Sequence, residues 1–137
     1  DTIIGWERAA KSPAAYEMAF LKKLMLSRPY FSRKVDQTII ASPIDSSYQE
    51  LMVAFRNEAS SFAMIYLPQN KEVKIDFSKI TGKLKYIWWY DPRTGSATSE
   101  KPRKGNKIET FIPPPSGKDW VLVIDDAFKG YAAPGKF

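Results

Sequence analysis

The residues best suited to chemistry are carboxylates: Asp91, Asp119, Asp125, Asp126 and Glu109. Cleaving a glycosidic bond takes two such groups facing each other, about 5–5.5 Å apart for retention or about 6.5–9.5 Å for inversion. The spacing suggests no such pair. Asp91 precedes Pro92 in a tight turn, where a short carboxylate accepts backbone N–H bonds. Asp125 and Asp126 are neighbours in extended chain and point apart, which fits strand termination and capping. Calcium takes about six to eight oxygens, and no loop of spaced Asp and Asn supplies them. The chain has no histidine and no cysteine. That excludes a thiolate nucleophile, a Ser-His-Asp triad, a zinc site built on those ligands and any disulfide framework. No catalytic, cofactor-binding or metal-ligating residue is assigned, and the chain is not expected to be an enzyme by itself.

Aromatic side chains are the larger stock of interaction chemistry. They centre on Trp88-Trp89-Tyr90-Asp91-Pro92-Arg93-Thr94-Gly95. Alternate strand residues face opposite sides, so Tyr86, Trp88 and Tyr90 share one face while Ile87 and Trp89 share the other. The second pair reads as the core face. The Tyr86-Trp88-Tyr90 row is the candidate contact surface, with Arg93 at the turn tip. It could pack against the N-terminal helix or an adjoining domain. It could equally present rings to the C–H faces of sugars, or bind a protein such as collagen. Arg93 is placed to pair with Asp91, a surface ion pair of little energetic weight.

The net charge is +6, with 21 Lys and Arg against 15 Asp and Glu. Lys71, Lys74, Lys79, Lys83 and Lys85 are scattered through strand edges and turns. Lys101, Arg103, Lys104 and Lys107 form the densest group, around Gly105-Asn106. This reads as a solvated basic surface and a mobile hairpin loop, with no clean stripe for nucleic acid. No apolar run approaches the ~20 residues that cross a membrane. The first residues also lack the basic and then apolar pattern of a signal peptide.

These groups need elements to hold them. Ser12-Pro13 is a sound helix start. Ala14, Met18, Leu21 and Met25, widened by Phe20 and Leu24, recur at helical spacing, and Arg28-Pro29 ends the helix. Residues 1–36 are expected to be this helix and a linker. From residue 37 the pattern is short strands: Thr38 to Ile40, Leu51 to Arg56, Phe62 to Leu67, Val73 to Phe77, Leu84 to Tyr90, Ser96 to Thr98, Lys107 to Ile112 and Trp120 to Ile124. Turn signals recur about every 8–12 residues. The expectation is an all-β fold, an antiparallel β-sandwich of about seven or eight short strands over residues 37–126, preceded by one α-helix. Residues 127–137 read as a loose tail.

The Trp88 to Gly95 block, Phe111 with Pro113-Pro114, and Asp119-Trp120-Val121-Leu122-Val123 with Asp125-Asp126 closely resemble the family described as "putative collagen-binding domain of a collagenase". The resemblance runs from about Gly5 to Asp126. It implies a C-terminal β-sandwich accessory module following a DUF4038, apiosidase-like (β/α)8 barrel. Residues 1–36 would then be the tail of that barrel, and the upstream catalytic barrel would be the partner. It also implies a bacterial, exported, glycoside hydrolase-like parent, with a glycan or an extracellular matrix protein as further partners.

Overall fold

The computed structural model describes residues 13–28, 33–44 and 51–136, with helix side chains from Ala19 onward. The helix start expected at Ser12 lies outside the described residues. Helix α1 spans Pro13–Leu26. Among the described residues eight strands follow: β1 Lys34–Val35, β2 Val53–Arg56, β3 Phe62–Leu67, β4 Val73–Asp76, β5 Leu84–Asp91, β6 Ser96–Lys104, β7 Ile108–Phe111 and β8 Trp120–Asp126. They form a six-stranded sheet in the order β1-β2-β3-β8-β5-β6 and a two-stranded sheet, β4-β7. Every pairing is antiparallel. Among the described residues the architecture is the all-β sandwich with one preceding helix that the sequence indicates.

Period-2 alternation decides what each sheet face meets. Ala63, Ile65 and Leu67 of β3, Ile87 and Trp89 of β5, and Leu122 and Ile124 of β8 point inward. They close on Val73, Ile75, Phe77 and Phe111 from the small sheet. Phe62, Met64, Val121, Val123 and Tyr90 point the other way and meet Phe20, Leu21, Leu24 and Met25 of α1. The large sheet is therefore covered on one face by strands and on the other by the helix. β8 is buried along its whole length and pairs on both edges. Its apolar run needs that central place, since both faces must leave water.

Four expectations are corrected. Thr38-Ile39-Ile40 is not a strand. Gln37–Ile39 is a 3-10 turn whose N-cap, Asp36, accepts the Thr38 N–H at 3.1 Å, and Ile40 keeps one bridge to Ile75. β6 runs on through Lys104, so Lys101, Arg103 and Lys104 lie in a strand rather than a loop. The next residues are pinned: Gly105 N–H donates to Lys83 O at 3.1 Å and Phe77 N–H to Lys107 O at 3.1 Å. Lys85 is not a surface lysine, because its side chain is fully buried. The tail packs as well. Ala127–Lys129 is a 3-10 turn capped by Asp126, Pro134 is buried, and the Tyr131 hydroxyl sits 2.6 Å from Ser61 Oγ.

Candidate functional site

β5 sorts its aromatics as the alternation requires. Trp89 lies in the inner core, edge-on to Trp120, with its indole N–H donating to Glu100. Tyr86, Trp88 and Tyr90 face the helix side, yet the structure does not treat them alike. Tyr90 is fully buried and its hydroxyl donates to Phe20 O at 2.5 Å. Burial, and secondarily the charge of Asp91, push its phenol above the usual tyrosine range. It anchors α1 and is closed to any ligand. Trp88 is half-buried, and its indole nitrogen has no hydrogen-bond partner among the described residues. Tyr86 is 39% exposed.

Tyr86 is shared by two adjoining concavities. One, of about 610 Å³, runs from Tyr86 past Gly82, Lys83 and Asp126 to Phe128. The other, of about 220 Å³, lies between Tyr86, Trp88, Ser99 and Pro102. Phe128 is 94% exposed. A sequence reading that treated the tail as loose missed it, although it is the one large apolar side chain of the Ala127–Lys129 turn. Arg93 stands apart from the row. Its Nε donates to Asp91 Oδ1 at 2.8 Å, and its guanidinium lies 5.3 Å from the Trp120 ring centroid. The Asp91-Pro92-Arg93-Thr94-Gly95 turn is thus self-bracing, with Asp91 Oδ1 also accepting the Arg93 N–H at 2.9 Å.

The carboxylates are held separately. Asp119 accepts from the Tyr66 hydroxyl at 2.7 Å, and Glu109 lies 3.3 Å from Arg103. Asp126 accepts from Thr81 Oγ1 at 2.7 Å and from the Phe128 N–H at 3.0 Å. Asp125 receives both arms of Arg28, at 3.0 and 2.7 Å. Burial pushes the Asp125 carboxyl above the usual range and the guanidinium pulls it back. No group of acidic residues suited to a metal ion occurs among the described residues. Lys85 donates to Gly82 O, to Gly105 O at 2.9 Å and to Asn106 Oδ1 at 3.0 Å. Desolvation lowers its pKa against the pull of Asp126.

A helix-backed antiparallel sandwich with self-braced turns, separately tethered carboxylates and an aromatic strip has the build of an accessory or binding module. The chain belongs to the family described as "Putative collagen-binding domain of a collagenase", whose model matches residues 35–125. It is also similar to a solved structure described as a glycoside hydrolase, at 32% identity and a TM-score of 0.80, over 93% of this chain and 28% of that one. A second is a glycoside hydrolase family 5 protein from Bacteroides vulgatus ATCC 8482, at 32% identity and a TM-score of 0.81, over 93% of this chain and 27% of that one. No curated protein matches. The chain thus spans little more than a quarter of the hydrolases it resembles, and it corresponds to an accessory β-sandwich module within them.

Proposed function

We propose that this module packs against the catalytic barrel of a bacterial, exported glycoside hydrolase, and that it stabilises that barrel rather than taking part in bond cleavage. The observation carrying this is the docking of α1 on the outer face of the large sheet. Leu24 is buried among Phe62, Met64 and Val123, and Arg28 just past the helix end is locked to Asp125 on that same outer face, over the Tyr131 ring. A helix fastened so firmly transmits the position of whatever precedes it. The likeness to about a quarter of two glycoside hydrolase chains supports the same reading.

The test compares the barrel-bearing protein with and without residues 34–136, in activity on small and polymeric glycans and in thermal stability. Lower stability with equal loss on all substrates is expected. Unchanged stability would remove the supporting role. Binding of collagen, as the family description suggests, is a separate outcome, readable by retention on immobilised triple-helical collagen.

A further inference from the structure

We infer that the strip Phe128, Tyr86, Trp88 and Pro102 binds an acidic polysaccharide, with Lys83 and Lys104 meeting its carboxylates. Three observations converge. The two concavities meet at Tyr86, and a continuous pair of hollows suits a chain ligand rather than a compact one. Each includes two aromatic residues in its lining, Tyr86 with Phe128 and Tyr86 with Trp88, and Tyr86 and Trp88 are two residues apart on β5, a rise of about 6.7 Å. A β-bulge presents this surface. Lys85 pairs with Arg103 and Ile87 with Glu100, so Lys101 and Pro102 together stand opposite Tyr86. Bulges re-aim side chains in this way, and proline is tolerated there.

Charge then selects the ligand. Lys104 pairs with Leu84 and so shares its side of the sheet, while Lys83 lines the larger concavity. Both are exposed, and neither has an ion-pair partner among the described residues. Arg103, by contrast, is committed to Glu100 and Glu109. Each concavity also holds a carboxylate, Asp126 in the larger and Glu100 in the smaller, but both are already engaged, Asp126 by Thr81 and the Phe128 N–H and Glu100 by Arg103 and Trp89. Rings stack on sugar C–H faces and lysines meet uronate carboxylates, a division of labour usual in binding sites. Single-stranded nucleic acid offers a similar pattern of bases and charge. The choice of glycan rests on the proposed service to a glycoside hydrolase.

The experiment is affinity electrophoresis and calorimetry of the 137-residue chain with polygalacturonate, with neutral hydroxyethylcellulose and oligo(dT) alongside. Binding to polygalacturonate alone, weakened by salt, is expected. Phe128→Ala and Tyr86→Ala should each weaken it about tenfold, by loss of a stacked ring. The double variant Lys83→Gln, Lys104→Gln should weaken it and flatten its salt dependence. Phe128 is almost wholly exposed, so its variant keeps the fold, as a melting curve will verify. Absence of binding, binding indifferent to both aromatic variants, or preference for oligo(dT) or the neutral glycan would each overturn the proposal. If Phe128→Ala instead lowers the melting temperature of the barrel-bearing protein and leaves glycan retention unchanged, the strip is the barrel interface. The glycan proposal then fails while the supporting role stands.

Discussion

Two buried cations, Arg28 and Lys85, do most to tie distant segments together, and they do so by different means. Arg28 and Asp125 are 97 residues apart and their side chains are almost wholly excluded from water. Breaking such a pair from one side leaves a bare charge in the interior. Arg28→Met should cost about 3–5 kcal/mol at neutral pH. Its pH dependence identifies the cause. Burial already raises the Asp125 pKa, and without Arg28 only that upward influence remains. The folded variant then holds a proton that the unfolded chain, with an ordinary carboxyl of about 3.9, has released. A carboxyl with a raised folded pKa contributes stability that is lost as pH rises from the unfolded value through the folded one. The deficit should therefore be larger at pH 8 than at pH 5 in urea melts, and equal deficits would point to lost packing instead. Lys85 serves the loop at its own end of the sheet. Lys85→Met leaves the oxygens of Gly82, Gly105 and Asn106 without their donor. A loss of about 2 kcal/mol is expected, with faster amide exchange across residues 105–107 as the local sign. Neither cation was legible in the sequence. Nothing in a charge pattern records a partner 97 residues away. Lys85 has the parity of Ile87 and Trp89, the core face, but a lysine at a strand's start does not say that a turn will close over it.

At the scale of elements, legibility followed the strength of the alternation. β4 alternates Val73 and Ile75 with Lys74 and Asp76, and its burial does the same. β8 is apolar on both sides and sits in the middle of its sheet. β6 was read too short because Ser96 to Lys104 is polar on both faces. An edge strand has only one partner to satisfy, and Pro102 and the lysines blunt its open side against further pairing. The run at Thr38 to Ile40 misled for the opposite reason. β-branched residues suggest a strand, but the Asp36 cap takes the first N–H and bends the chain into a turn. Hydrogen bonds from Thr38 and Arg56 hold the Asp36 carboxyl below its usual range, against the opposing effect of burial. Its contribution is present above the unfolded pKa and fades as pH falls through the folded one. The β5-β6 hairpin offers a cleaner test of how turn and helix meet. Gly95 has a φ of +77°, and a Cβ there would come within 2.5 Å of the Phe20 ring. Gly105 has a φ of +99° with open space around it. Both alanine variants carry backbone strain of about 1–3 kcal/mol. Only Gly95→Ala should also loosen α1, seen as faster proteolysis of the helix, so equal effects at the two sites would show that the Phe20 contact carries no weight.

The whole molecule is a sheet covered twice, and the two covers differ in kind. The inner one, β4-β7 with its turns, belongs to the sandwich and closes an aliphatic core around Trp89 and Phe111. The outer one, among the described residues, is helix α1 with the Tyr131 segment beside it. The helix was visible in the sequence, and so was its excess of apolar residues. Its docking on the β5 row was only one of the alternatives, because a wide apolar arc states that something must cover it without saying what. A chain beginning at Arg33 separates the possibilities. It lacks Phe20, Leu21, Leu24 and Met25, which leaves Met64, Val121, Val123 and Tyr90 facing water and Asp125 without Arg28. Less surface is then buried on folding, so the urea m-value should fall together with the midpoint. The uncovered face is a contiguous apolar patch, and such patches drive association. Sedimentation velocity should show dimers or larger species that grow with concentration, whereas the full chain should show none by this route. If the shortened chain stays monomeric with an unchanged midpoint, α1 is a passenger on the sheet. The proposed link between the sandwich and a preceding barrel then has to be sought at the Tyr86 and Phe128 end, where the same surface is argued to hold glycan. That outcome would set the supporting role and the glycan strip in direct competition for one face.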